Sequence, residues 1–147
     1  MSQQSESIKN TFPLGPILCL IMILFLSMCG RMVFSPLLVT IEEALGISHA
    51  QAGSFFLITA IGYSCMMLFS GFVSKHLNHR GTILASISGV GLSLLIISQS
   101  STLIVLKLAL IILGISAGLY APSGLSTITS ITAPSHWGKA LSLHESG

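Results

Sequence analysis

GFVSKHLNHR, residues 71–80, is a short basic interval between two long apolar runs. It holds two of the six Lys and Arg residues, Lys75 and Arg80, and two of the five histidines, His76 and His79. Of the 147 residues, 52% are hydrophobic and 7% are charged, with a mean hydropathy of +0.90. A water-soluble domain carries about 25% charged residues. This chain has too few to cover a water-facing surface, so it reads as an integral membrane protein. Residues 71–80 are then a turn between two spans. A net charge of +2 with no other basic run leaves no footprint for nucleic acid.

Outward from that turn, the apolar runs predict an all-α, polytopic helix bundle. A polar tail occupies 1–12, and a transmembrane domain occupies 13–147. Its helices are expected at about 14–39, 50–72, 81–97 and 103–131, with the start of a fifth from about 139. Each of the four is long enough to approach or exceed the roughly 20 residues that cross a bilayer. Pro13 and Pro16 suit a first helical turn, where a missing N–H costs nothing. Gly46 is placed to stop a helical turn, and Ser48 to cap the next helix. Trp137 suits the headgroup layer. The cysteines Cys19, Cys29 and Cys65 lie inside apolar runs and read as small hydrophobes.

Charge sets the orientation. Lys9, Lys75, Arg80 and Lys139 fall in the tail and in the second and fourth loops. The first loop carries Glu42 and Glu43, and neither it nor the third loop has Lys or Arg. The positive-inside rule places the basic side, and the N-terminus, in the cytoplasm, with the chain in the cell membrane.

The opening stretch also resembles the signature between helices two and three of the major facilitator superfamily. Gly71 matches its first glycine, and His79 and Arg80 fill its basic places. Lys75 stands where the signature has Asp, and Asn78 where it has Gly. Asn tolerates the left-handed backbone that a glycine there would take; Lys reverses a charge. Further residues follow the family in order: Arg31, Pro36, Leu45-Gly46-Ile47-Ser48, Gln51-x-Gly53, then Gly114-x-x-x-Gly118-x-x-x-Pro122, then Trp137-Gly138-Lys139-Ala140. Leu110 stands where proton-coupled antiporters of the family carry Arg, so the resemblance does not imply antiport.

The resemblance implies one part of a twelve-helix transporter, covering the first three-helix repeat and the beginning of the second. The remaining helices of the transporter would be its partners. Solute would sit near the midplane between two halves that rock to give alternating access. In the family reading, Gly71 lets helices approach closely, and the loop stabilises one closed state.

Four side chains are candidates for contact with solute. Arg31 is a cation within a span, and such residues usually face a cavity or a partner. With Ser27 and Ser35 it forms a polar stripe at helical spacing. It reads either as a contact for an anionic group or as a snorkelling side chain. Tyr63 and Tyr120 each turn a hydroxyl toward a cavity or pack in the bundle. Glu145 is a proton or cation site if buried, and an ordinary helix-start acid if it stays among headgroups. Gly114 and Gly118 fit close helix packing, and Pro122 a kink. His76 and His79 lack further metal ligands. No nucleophile–base pair, metal cluster or phosphate-cradling loop is evident, so neither enzymatic activity nor a cofactor is expected.

Two other architectures fit four spans. One is a homodimeric small exporter, although such proteins use an acid in helix one and Arg31 is the charge here. The other is a non-transporting protein that binds a partner through small-residue faces.

Overall fold

The computed structural model describes residues 12–146, and their regular elements are all helical. The elements are α1 (Leu14–Met32), α2 (Phe34–Leu45), α3 (His49–Ser98), α4 (Leu103–Ile131), a 3₁₀ turn (Pro134–His136) and α5 (Trp137–Glu145). Three stretches, Leu14–Leu45, His49–Ser98 and Leu103–Ile131, are long and apolar enough to cross a membrane. Apart from Phe12, the expected tail at 1–12 lies outside the described residues, and so does Lys9.

The first apolar run is not one helix ending near 39. It breaks at Val33 and then stays helical to Leu45. Pro36 accounts for the break, because it has no N–H for the Met32 carbonyl four residues back. Much of the expected first loop is therefore helix, and Gly46 ends it in the left-handed conformation (φ 60°, ψ 36°). The Ile47 N–H returns 3.1 Å to the Glu42 carbonyl, closing the C-terminus. Ser48 caps α3, accepting from the Gln51 N–H while the Gln51 side chain accepts from the Ser48 N–H.

The stretch 71–80 is also not a loop. Helical geometry runs through it, and α3 is interrupted only at Asn78 (φ 60°, ψ 161°). Fifty unbroken helical residues would reach about 75 Å against a hydrocarbon core of about 30 Å. A reversal inside α3 resolves this mismatch. The limb before Asn78 runs alongside α4 in the same direction: Thr59 lies at Gly114, and Tyr63 at Gly118. The limb after it runs the other way: His79 meets Ser126, and Gly89 meets Ser116. Asn78 does not have the left-handed helical backbone expected of it. With ψ near 160° it occupies a region that is essentially reserved for glycine, so Asn in place of the signature's Gly is a strained choice.

Held between these limbs, α4 is the most buried span. Two apolar cores lie along it. One gathers Phe34, Phe55, Val90, Leu106, Leu110 and Leu113, and the other Ile17, Leu20, Ile83, Tyr120, Ile128 and Ala140. Large apolar side chains such as Leu68, Phe69, Leu95 and Ile104 point outward, as the lipid face of a bundle requires.

Candidate functional site

The closeness of α3 and α4 positions the site. A Cβ on Gly114 would collide with the Thr59 carbonyl oxygen, and one on Gly118 with the Tyr63 carbonyl oxygen. A Cβ on Gly62 would fall 2.9 Å from the Ile111 carbonyl oxygen. Backbone meets backbone here because small residues let membrane helices approach closely. The turn of α3 carrying Thr59 and Tyr63 is thereby pressed against α4, and its side chains meet α1.

A cavity of about 510 Å³ opens at that meeting, lined by Met28, Arg31 and Ser35 together with Phe34, Phe55, Thr59, Tyr63 and Leu110 among others. The guanidinium carbon of Arg31 sits 4.5 Å from the centre of the Tyr63 ring, which holds the cation by its attraction to the ring face. Arg31 Nη2 donates to Met28 Sδ at 2.7 Å, a weak acceptor. Arg31 Nε is buried with no hydrogen-bond partner among the described residues. The Thr59 hydroxyl donates to the Phe55 carbonyl at 2.8 Å, leaving its lone pairs free. The cavity is thus a mostly apolar chamber with one cation, whose Nε is left without a partner among the described residues. Arg31 and Tyr63, singled out separately in the sequence, line one site. Phe34, Phe55 and Met28 supply its apolar walls.

Tyr120 and Glu145 are elsewhere, in the second core. The Tyr120 hydroxyl lies 2.7 Å from the Leu20 carbonyl and 2.9 Å from His144 Nε2. His144 Nδ1 lies 3.3 Å from Glu145 Oε1. His144, which the sequence did not single out, is 2% exposed. Its spacing of four from the equally buried Ala140 was the signal available for an inward face.

The basic interval forms a third feature at the end of the bundle where α3 reverses. Leu77, Asn78, His79, Arg80 and Gly81 face Thr127, Ser130 and Ile131 across a cavity of about 460 Å³. His79 Nε2 meets the Ser126 hydroxyl at 3.0 Å. Lys75 is exposed on the helical limb, and among the described residues neither it nor Arg80 forms an ion pair. Gly71 makes no close approach among the described residues, where a Cβ would meet nothing within 4 Å. Pro122 lies within α4 without ending it. At the end of that helix, Trp137 Nε1 donates to the carbonyls of Thr129 and Thr132 at 3.2 and 3.0 Å. Glu42 and His49 pair at 2.8 Å near the opposite end.

A family model described as Major Facilitator Superfamily matches residues 20–147. No curated protein and no solved structure matches the chain.

Proposed function

The chain belongs to the Major Facilitator Superfamily, and on that premise we propose that it serves secondary transport of a small anionic solute by alternating access. The Arg31 cavity is the solute site in this reading. Its volume falls within the roughly 300–1,000 Å³ range of small-molecule pockets, and its lining is mostly apolar with a few polar groups. The observation that carries the reading is the state of Arg31. A partly buried guanidinium with an orphaned Nε and a thioether as its hydrogen-bond acceptor is under-satisfied. A carboxylate or phosphate would accept those donors, the planar guanidinium favouring two-point contact. Phe34, Phe55 and Met28 suit an apolar body behind the anionic group.

Alternating access would come from this helix group rocking against the family's second half, which would close the open side of the cavity. In this reading the positive-inside rule favours the cytoplasmic side of a cell membrane for the Asn78 reversal and the start of α5, which carry Lys75, Arg80 and Lys139, with Glu42 and Glu43 outside.

Thermal stability of the full-length protein in lipid nanodiscs tests the solute reading. Short-chain and aromatic carboxylates and inorganic phosphate are compared with neutral and cationic counterparts. Anions are expected to stabilise the protein. Arg31→Gln should weaken the most effective one by about tenfold to hundredfold, the worth of a charge-assisted hydrogen bond, and Arg31→Lys should weaken it less. Stabilisation by cations alone, or an anion response unchanged in Arg31→Gln, overturns the reading.

A further inference from the structure

We propose that His144, Glu145 and Tyr120 form a binding site for a coupling proton, and that loading it ties α1 to α4. The site is separate from the Arg31 cavity, and only its part in coupling rests on the transport reading.

Tyr120 has one hydroxyl hydrogen and two neighbours, the Leu20 carbonyl at 2.7 Å and His144 Nε2 at 2.9 Å. The carbonyl can only accept, so when the phenol donates to it, Nε2 must carry a hydrogen and donate to the phenol oxygen. Nδ1 faces Glu145 Oε1 at 3.3 Å, and a hydrogen is needed there as well. With Nε2–H already in place, that hydrogen belongs either to an imidazolium or to a protonated carboxyl. Each holds one proton more than a neutral imidazole beside a carboxylate.

Removing that proton leaves a second satisfied arrangement. His144 keeps Nδ1–H toward Glu145, its Nε2 becomes an acceptor, and the Tyr120 hydroxyl turns to it. The Leu20 carbonyl then loses its side-chain donor. One proton therefore moves one hydrogen bond, and that bond is a polar link between α1 and α4.

Burial favours two discrete states over a blur of intermediates. Tyr120 is 1% exposed and His144 2%, where an unpaired polar group is costly. Ile83 of α3, Ile128 of α4, and Ile17 and Leu20 of α1 form the apolar surroundings. Among the described residues the titratable neighbours are Glu145 of α5 and Cys19 of α1, which lies toward Tyr120. Lys139 of α5 is over the Phe12 ring, 5.3 Å from its centre. The Glu145 side chain is 70% exposed and is the open end through which a proton would enter.

The test uses full-length protein carrying ¹⁵N-histidine in lipid nanodiscs, followed from about pH 5 to 9, the range that brackets histidine chemistry. His144 ring signals are assigned by their loss in His144→Gln. A pair of spin labels at the exposed positions Leu18 and Leu125 reports the α1–α4 distance. As pH rises, the ring should pass from two nitrogen-bound hydrogens to Nδ1–H alone, and the distance should lengthen on the same course. Glu145→Gln should shrink the distance change, because the Gln amide can donate to Nδ1 and keeps the tied arrangement open without an added proton. Tyr120→Phe should leave the ring titrating while the distance stays at its long value. Arg31→Gln should change neither readout, which separates this site from the solute reading.

Ring signals that do not change with pH overturn the proton site. Titration without a change in distance overturns the tie, as does a change that persists in Tyr120→Phe. A distance change of undiminished size in Glu145→Gln overturns the exchange of partners.

Discussion

Each of the two cores pairs a tyrosine with a basic side chain from another helix. Tyr63 lies under Arg31, and Tyr120 lies against His144. The first pair borders a cavity of about 510 Å³, and its donors outnumber its acceptors: Arg31 Nε is unpartnered, and among the described residues the Tyr63 hydroxyl forms no hydrogen bond. The second pair has its polar atoms matched across three helices, through Leu20, Tyr120, His144 and Glu145. In the solute reading proposed above, an unpartnered donor at a cavity wall is a demand for a ligand. In the proton reading, a balanced, buried set is a fastening whose state turns on a single hydrogen. The contrast is therefore one of satisfaction, and it can be broken by removing what supports both cores or sharpened by removing one atom from each.

The largest effect should come from Gly118→Val. Gly118 lies against the Tyr63 backbone on one side of α4, and two residues later Tyr120 enters the second core. A side chain there meets backbone, which cannot rotate away. The cost should be about 3 kcal/mol, the upper range for overpacking. Reversible unfolding in mixed micelles should show it, together with loss of both the anion response and the His144 signal. A variant that kept either would show the two regions to be supported independently.

Asn78→Gly should act in the opposite direction. Glycine accepts φ 60°, ψ 161° without a Cβ penalty, so the variant should be more stable by about 1–3 kcal/mol, the strain stored in such a backbone. The same micelle unfolding series measures it. Because both cores keep their contacts, solute and proton responses should survive. If they shift, the strain at the reversal is coupled to one of the two regions.

These expectations also mark how far the residues could be read unaided. The span-forming runs were legible because a membrane helix is written in continuous apolar sequence. The reversal was legible as a polar interval, but not as a break at one residue. Val73, Ser74, Lys75, His76 and Leu77 contain no helix breaker, so helix persists until Asn78. Likewise, residues 40–45 are polar enough to suggest a loop, yet only Gly46 ends the helix. Arg31 was conspicuous as a charge in a span. Its meeting with Tyr63 was not, because the meeting depends on how closely Gly114 and Gly118 bring α3 to α4. His144 was hidden by its neighbours: Glu145 and Ser146 are exposed, and only packing of α5 against α1 buries the residue before them.

The smallest and most discriminating effect compares two identical deletions. Tyr120→Phe removes the hydroxyl bound to the Leu20 carbonyl and His144 Nε2, leaving a buried imidazole nitrogen without its partner. The loss should be about 1–2 kcal/mol, the cost of an orphaned buried polar group. Tyr63→Phe removes a hydroxyl that holds nothing among the described residues and keeps the ring face under Arg31. Its unfolding midpoint should match that of the unaltered protein within error, and anion binding should be retained, since phenylalanine also attracts a cation. Equal losses in the two variants would mean that Tyr63 has a partner as firm as that of Tyr120. Arg31 would then stand in a satisfied network, and its unpaired donors could no longer be read as a demand for a ligand.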